Sequence, residues 1–155
     1  MPTSSDPFDL ERFRSAQRGV IESAIAEVRN GRKTGHWMWF VFPQIAGLGS
    51  SSMSRKYAIH SIEEARAYLG EPVLGSRLLA AATAVLGNPG RDPVGILGDI
   101  DARKLRSSMT LFHRADPDQP VFRDVLDRFF GGATDPETDR LLVEPFSPSL
   151  GLPFA

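Results

Sequence analysis

The sequence predicts an all-α protein: a single-domain, multihelical bundle of about seven or eight helices. Its length of 155 residues fits one domain, and contents of 41% hydrophobic and 24% charged residues are ordinary for a globular chain. The dipeptide Asp-Pro occurs four times. Each occurrence is a candidate helix start, because Asp caps a helix well and proline suits its first position. Apolar residues recur at helical spacing, whereas no alternating pattern of strand length is present.

The first helix is predicted over Pro7–Asn30. Asp6 and Pro7 provide the start, and Asp9 stands three residues after Asp6, as in an acidic variant of the capping box. An apolar stripe at helical spacing continues through the segment. The pair Asn30-Gly31 is typical of a left-handed helix stop.

The same signals predict the remaining elements. The aromatic segment His36–Pro43 fits either a short helix or an extended strand-like conformation, and the glycine- and serine-rich loop Gln44–Ser52 follows it. Further helices are expected at Met53–Ile59, Ser61–Leu69, Pro72–Leu86, Pro93–Leu97, Ile100–His113, Pro120–Phe130 and Pro136–Leu142. We expect residues 1–5 to be disordered, residues 6–144 to form the domain, and residues 145–155 to be an irregular tail. The apolar faces of the predicted helices indicate a core that includes Phe13, Ile21, Leu78, Leu105, Met109, Phe112, Phe122, Leu126 and Phe129.

Composition and charge restrict the function classes. The chain has no cysteine, which excludes thiolate nucleophiles and cysteine-ligated metals, and its three histidines do not have the spacing of metal ligands. We therefore predict neither a metal site nor a cofactor. No apolar stretch approaches the roughly 20 residues of a membrane span, and the N-terminal segment lacks the pattern of a signal peptide. We expect a cytoplasmic protein that does not bind membranes. A net charge of −1 argues against nucleic-acid binding, which is kept as an alternative. The sequence does not predict an oligomeric state.

Charge is distributed unevenly along the chain. Between Glu27 and Glu63 there is no acidic residue, and this window holds five cations, whereas acids outnumber arginines towards the C-terminus. Such asymmetry within one domain predicts a positive face. Arg32 and Lys33 are the cations next to the aromatic segment. Acids from the C-terminal part could still neutralise the cations in three dimensions, and that alternative stays open.

The aromatic segment offers two interpretations of its tryptophans. If the segment is extended, Trp37 and Trp39 face the same side, and the pair could stack on a base or a sugar with Arg32 and Lys33 placed for a phosphate. Alternatively both rings belong to the core, since tryptophans mostly serve burial. Next to them, His36 is the candidate for acid–base catalysis, because imidazole exchanges protons near neutral pH; the alternative is a structural histidine in a loop.

The loop Gln44–Ser52 and the residues after it are a second candidate feature. Its glycines permit close approach of a ligand, and we place Gln44, Gly49, Ser54 and Tyr57 in the candidate ligand site. The pattern matches neither a P-loop nor a dinucleotide fingerprint, so a flexible connector is the alternative.

Two further polar features lie on predicted helices. Asp101 and Lys104, three residues apart, can pair on one helix face. Lys104 is included in the candidate site, with an ordinary surface ion pair as the alternative. Gln17 falls on the apolar stripe of the first helix. A buried amide needs hydrogen bonds, either to a backbone carbonyl in the core or as part of a pocket wall.

The chain resembles a bacterial family known as domain of unknown function number 1810, whose members are often mislabelled calpastatin-like. The residues that carry the resemblance are Asp6–Leu10, Ala16-Gln17, Gly31–Lys33, His36–Gln44, Gly47–Gly49, Ser54, Tyr57–Ile59, Leu74-Gly75, Arg77-Leu78, Ile96–Gly98, Lys104-Leu105 and Ser107–Phe112. The resemblance extends from Asp6 to about Leu142 and implies a multihelical fold, without implying a reaction. Members of the family typically have His-Pro where this chain has Glu71-Pro72.

Three functional hypotheses follow. The chain binds or enzymatically processes an anionic, nucleotide-like small molecule; or it is an adaptor whose aromatic segment contacts a protein; or it binds RNA or single strands weakly through stacking and cations. The burial of Trp37 and Trp39 discriminates among them. A concave pocket near both rings favours the first hypothesis, a flat exposed patch the second, and a continuous basic groove the third.

Overall fold

A computed structural model describes residues 6–90 and 92–143. The segments expected to be disordered (1–5) and irregular (145–155) lie outside the described residues. Residue 144, the last one assigned to the domain, also lies outside them. The described ranges contain ten helices and no strand, so the all-α prediction is confirmed. The helices are α1 (Glu11–Gln17), α2 (Ile21–Arg29), α3 (Met38–Val41), α4 (Ser52–Lys56), α5 (Ile62–Gly70), α6 (Pro72–Leu86), α7 (Pro93–Leu97), α8 (Asp99–Ala115), α9 (Pro120–Phe130) and α10 (Pro136–Val143).

The prediction of one continuous helix over Pro7–Asn30 is wrong. Gly19 adopts a left-handed conformation with φ of +79°, which ends α1 and lets α2 begin in a new direction. The start also lies later than expected, because the Asp6 carboxylate accepts hydrogen bonds from the amides of Leu10 (2.8 Å) and Glu11 (3.0 Å). Ten helices therefore replace the expected seven or eight: the first one is divided, and the aromatic segment contributes the short α3.

Several other predicted boundaries are confirmed by their capping contacts, whereas α4 ends at Lys56 rather than at Ile59 and α8 extends to Ala115 rather than His113. The Ser61 hydroxyl accepts from the Glu64 amide at 3.0 Å and begins α5. α9 ends where Gly131 is left-handed, with φ of +63°. One Asp-Pro pair is an exception. Asp116-Pro117 begins no helix, because α8 continues to Ala115 and α9 begins only at Pro120.

Helices α6 and α8 make most of the contacts between helices. α8 packs against α5, α7, α9 and α10, while α6 packs against α1, α2, α3, α5 and α9. All nine residues predicted for the core are buried, none more than 9% exposed, which confirms the helical faces assigned from the sequence.

A buried polar contact joins the first helix to the rest of the core. Gln17 is 1% exposed, and its side-chain amide donates to the Phe40 carbonyl (2.7 Å) and to the Tyr68 hydroxyl (2.9 Å). The interpretation of Gln17 as a core amide bonded to a backbone carbonyl is therefore correct. The contact fixes α3, which carries Phe40, against α1 and α5.

An arginine holds the segment that follows α4. Arg12 pairs with the buried Glu64 at 2.8 Å and donates to the carbonyls of Lys56 (2.8 Å) and Ala58 (2.7 Å). Nearby, Ile45 and Ile59 form an isolated parallel bridge. These contacts fix the position of Tyr57 and of the loop before α4, which form one wall of the cleft described below.

Within the described ranges, no single helix combines the length and apolar character needed to cross a membrane. Among the described residues, only the pair of helices α5 and α6 meets the length and composition criteria when the two are counted together, and the chain bends by 93° between them.

Candidate functional site

A cleft of about 530 Å³ lies beside the N-terminal half of α8. Its other walls are α3, the loop of residues 44–51, α4 with Tyr57, and the beginning of α10. Six of the ten predicted site residues line it: Trp39, Gln44, Gly49, Ser54, Tyr57 and Lys104. The other four, Arg32, Lys33, His36 and Trp37, do not. The cleft therefore joins sequence segments far apart in the chain.

Trp39 and Lys104 form the centre of the cleft wall. The Lys104 ammonium lies 3.9 Å from the centroid of the Trp39 ring, within the range of a cation–π interaction. Trp39 is partly buried against the core, and the side chain of Lys104 is 18% exposed. The aromatic ring and the cation that covers one of its faces are thus presented to the cleft as a pair.

Asp101 holds Lys104 in this position. Its carboxylate accepts from Lys104 at 3.3 Å through one oxygen and from Lys33 at 2.8 Å through the other. The pairing of Asp101 with Lys104 on one helix face is therefore confirmed. Because two ammonium groups share one carboxylate, this group of three residues keeps a net charge of +1 beside the cleft.

Lys33 is neutralised at a distance from the cleft. Its side chain is 9% exposed, donates to the Gly35 carbonyl, and lies 5.1 Å from the Trp37 ring centroid. Lys33, predicted as a ligand-binding residue, does not line the cleft, and its ammonium pairs with Asp101. Its contribution to the cleft is indirect, through that carboxylate.

The two tryptophans do not form a stacking pair. Residues 38–41 are helical rather than extended, and helical residues two apart point in nearly opposite directions. Trp37 is 2% exposed, and its indole N–H donates to Glu27 at 2.9 Å. Trp37 is therefore a core residue, and only Trp39 faces the cleft.

His36 and Arg32 lie on the exposed surface. Neither lines the cleft, and among the described residues neither side chain has a hydrogen bond or an ion pair. The predicted convergence of Arg32, Lys33 and His36 with the aromatic and loop residues is therefore wrong.

Two further cations of the acid-free window, Arg55 and Lys56, also lie outside this cleft. Arg55 donates to the Ser50 carbonyl, and the Lys56 ammonium lies 5.4 Å from the ring centroid of Tyr57. Neither pairs with an acid among the described residues.

The glycine- and serine-rich loop is an ordered structure in the described chain. The Ser51 hydroxyl accepts from the Ser54 amide at 3.1 Å, and the Ser54 hydroxyl donates to the Ser51 carbonyl at 2.9 Å. A Cβ atom added at Gly49 would lie 3.0 Å from the Ser54 hydroxyl. The absence of a side chain at Gly49 thus lets the loop pack closely over α4.

Two polar groups of the cleft lack partners in the described part of the chain. Tyr57 is only 7% exposed, its ring packed against Phe13 and Phe40 at centroid distances of 5.8 and 5.4 Å, and its hydroxyl makes no hydrogen bond with a described residue. The side-chain amide of the half-buried Gln44 also makes none. Both groups are therefore available to form hydrogen bonds with a ligand in the cleft.

The sequence prediction missed the wall formed by α10. Asp135 lines the cleft, and its Oδ2 atom accepts from the Ser107 hydroxyl (3.2 Å) and from the amide and hydroxyl of Thr138 (3.0 and 2.6 Å). The sequence predicted Asp135 only as the residue that begins α10, and its hydrogen bond from the Thr138 amide confirms that role. The cluster of hydroxyl residues on α8 was the one available signal, because Ser107 and Thr110 both bond to Asp135.

Glu137 and Arg103 complete the charged rim. Glu137 pairs with Arg140, and Arg103 pairs with Asp99 at 3.2 Å on the exposed surface of α8. Exposed pairs of this kind contribute little energy, and each leaves the rim locally neutral.

A second groove, of about 830 Å³, lies on the other side of the loop, near the end of α10. It is more apolar in character and includes Ile62, Leu141 and Leu142, with Arg55 and His60 at its edge. The first cleft is the better candidate site, because it combines a held cation, an aromatic ring and unpartnered polar groups.

The chain belongs to a family of unknown function. The sequence model of that family, described as protein of unknown function (DUF1810), matches residues 7–142. Among solved structures, the conserved hypothetical protein Rv1873 from Mycobacterium tuberculosis is 49% identical and superposes with a TM-score of 0.87, over 89% of this chain and 99% of that one. No curated protein matches the chain.

One departure from the family has a structural consequence here. Glu71, in the position where the resemblance implies a histidine, accepts from the Leu74 amide at 2.8 Å and so caps α6. Its other oxygen pairs with Arg14 at 3.0 Å. Glu71 lies outside the cleft and stabilises the junction between α1 and α6.

Proposed function

We propose that the chain binds an anionic small molecule, of nucleotide-monophosphate or sugar-phosphate size, in the cleft beside α8. The observation that carries the proposal is the Lys104–Trp39 pair beside the unpartnered Tyr57 and Gln44. A volume of about 530 Å³ suits such a ligand, since small-molecule sites typically measure roughly 300–1,000 Å³.

The cation has the properties of an anion ligand. Lys104 is held by Asp101 and by the ring of Trp39, so little side-chain entropy is lost when an anion binds it. The net charge of +1 on Lys33, Asp101 and Lys104 provides the attraction. Tyr57 and Gln44 supply hydrogen bonds to the polar part of the ligand, and the free edge of Trp39 contacts its apolar part.

Binding is proposed rather than His36-dependent catalysis, because His36 lies outside the cleft. The alternative functions have less support from the geometry. An aromatic hot spot for a protein partner needs exposed rings, whereas Trp37 is core. A basic groove for nucleic acid needs unneutralised cations in a row, whereas Lys33 pairs with Asp101.

Thermal-shift and calorimetric titrations with AMP, ribose 5-phosphate and inorganic phosphate test the proposal. At a concentration 100 times Kd, a ligand stabilises the folded state by about 2.7 kcal/mol, which corresponds to an increase in Tm of roughly 5–10 °C for a chain of this size. AMP and ribose 5-phosphate are each expected to give such a shift.

The variant Lys104→Met keeps an apolar stem against Trp39 and removes the charge. We expect it to weaken binding at least tenfold. Lys56→Met is the matched control, since Lys56 also lies over an aromatic ring but does not line the cleft. The proposal fails if AMP does not bind, or if Lys104→Met binds AMP as well as the unsubstituted chain does.

A further inference from the structure

The cleft has opposite charges on its two ends. On α8, the group formed by Lys33, Asp101 and Lys104 has an excess of one positive charge. At the start of α10, Asp135 has hydrogen bonds from neutral groups only, and no cation pairs with it among the described residues. The other two charged lining residues, Arg103 and Glu137, have their own ion-pair partners.

The two ends are close to each other. Asp135 bonds to Ser107, which lies one turn beyond Lys104 on α8, about 4.5 Å along the helix axis. All three hydrogen bonds to the Asp135 carboxylate are accepted by Oδ2, so Oδ1 retains its capacity to accept. A ligand that fills the cleft must therefore satisfy a cation and a carboxylate within one small volume.

From this arrangement we infer the ligand's class: it carries a single anionic group that lies at Lys104 and a neutral or cationic, hydrogen-bond-donating end that faces Asp135. Sugar monophosphates, nucleoside monophosphates and amino-acid-like zwitterions have this form. Nucleoside di- and triphosphates do not, because their additional phosphates approach the Asp135 carboxylate, and like charges at short range repel each other. This inference rests on the proposed function and makes Asp135 a specificity-determining residue.

Calorimetric titration with adenosine, AMP and ATP tests the inference, in a buffer without divalent cations so that the phosphates keep their full charge. We expect AMP to bind, and adenosine and ATP each to bind on the order of tenfold or more weakly than AMP. Added salt is expected to narrow the difference between AMP and ATP, since it screens the repulsion.

The variant Asp135→Asn separates the effect of the negative charge on ligand binding from the role of Asp135 as a helix cap. Asparagine also caps helices well, so its carbonyl can still accept from Thr138 and Ser107 while the negative charge is removed. We expect the ratio of AMP to ATP affinity to fall at least threefold, with AMP affinity itself changing less. Asp124→Asn, the same substitution at an exposed position of α9 that does not line the cleft, is the matched control and is expected to leave the ratio unchanged.

The outcomes distinguish the two proposals. If AMP does not bind, or binds no more tightly than adenosine, the proposed anion site itself is wrong. If AMP binds at the site but ATP binds equally or more tightly in the unsubstituted chain, only the inference about Asp135 is overturned. That comparison uses the unsubstituted chain and holds even if Asp135→Asn does not fold.

Discussion

The carboxylate of Glu27 organises the turn between α2 and α3, and its removal gives the sharpest stability prediction. Its Oε1 atom accepts hydrogen bonds from the backbone amides of Thr34 (2.8 Å) and Gly35 (2.9 Å) and from the indole of Trp37 (2.9 Å). Burial raises the pKa of Glu27, but the hydrogen bonds from Gly35, Thr34 and Trp37 outweigh it and lower the pKa to about 2.

The size and sign of the effect follow from proton linkage. A pKa lowered from 4.5 to about 2 corresponds to at most roughly 3–4 kcal/mol, and partial solvent screening reduces this to about 1.5–2 kcal/mol. Because the folded-state pKa is the lower one, this stability is fully present above about pH 4.5. It is lost progressively as the pH falls to about 2, since the unfolded chain then binds the proton first.

Urea denaturation of the unsubstituted chain and of Glu27→Gln at a series of pH values measures this contribution. Near pH 7 we expect Glu27→Gln to lower the free energy of unfolding by about 1.5–2 kcal/mol, because its neutral carbonyl accepts weaker hydrogen bonds than a carboxylate. The difference should shrink between pH 4.5 and pH 2. Glu22→Gln is the matched control on the same helix, because Glu22 is exposed. A difference independent of pH, or equal for both variants, would refute the reasoning.

Three further predictions concern helix ends and the core, each measured as the free energy of unfolding in urea. Asp6→Ala is expected to cost about 1 kcal/mol, because the Asp6 carboxylate caps two amides at the start of α1; an unchanged denaturation midpoint would contradict the cap. Gln17→Leu is expected to cost about 2–3 kcal/mol, because it leaves buried partners unpaired, and a cost below 1 kcal/mol would argue against that contact. Gly131→Ala is expected to cost about 1 kcal/mol at its left-handed φ of +63°, whereas Gly70→Ala, with equally open space but no left-handed φ, should cost nothing; equal costs would exclude backbone strain as the cause.

Local signals predicted much of the fold because most helix ends are decided locally. The Ser61 hydroxyl, for example, satisfies an amide only three residues away, and α9 begins at Pro120 and ends at Phe130, as the proline and the glycine pair predicted. The break at Gly19 was missed for a physical reason. A single glycine costs only about 1 kcal/mol inside a helix, so its presence alone does not decide between a continuous helix and two helices joined at an angle.

The sequence predicted most of one wall of the cleft and Lys104 of α8, but it wrongly placed Arg32, Lys33, His36 and Trp37 at the cleft and missed the wall formed by α10. Trp39, Gln44, Gly49, Ser54 and Tyr57 lie within one continuous stretch of chain, and all line the cleft. The opposite wall depends on α8 and α10 meeting. Arg106 of α8 holds the segment before α10 through the carbonyls of Ala133 and Thr134, a tertiary contact that no local pattern encodes.

The acid-free window shows why charge along a sequence is a weak guide to charge in a fold. Lys33 has no acidic neighbour in the chain, yet its ammonium lies 2.8 Å from Asp101. The same carboxylate also pairs with Lys104. Asp101 precedes Lys104 by three residues, so an ordinary surface ion pair was the alternative interpretation of these two residues. Because Asp101 is a single carboxylate between two ammonium groups, the three residues together keep one positive charge, and Lys104 is the member of the group that lines the cleft. The positive charge that the window predicted therefore reaches the cleft through a residue outside the window.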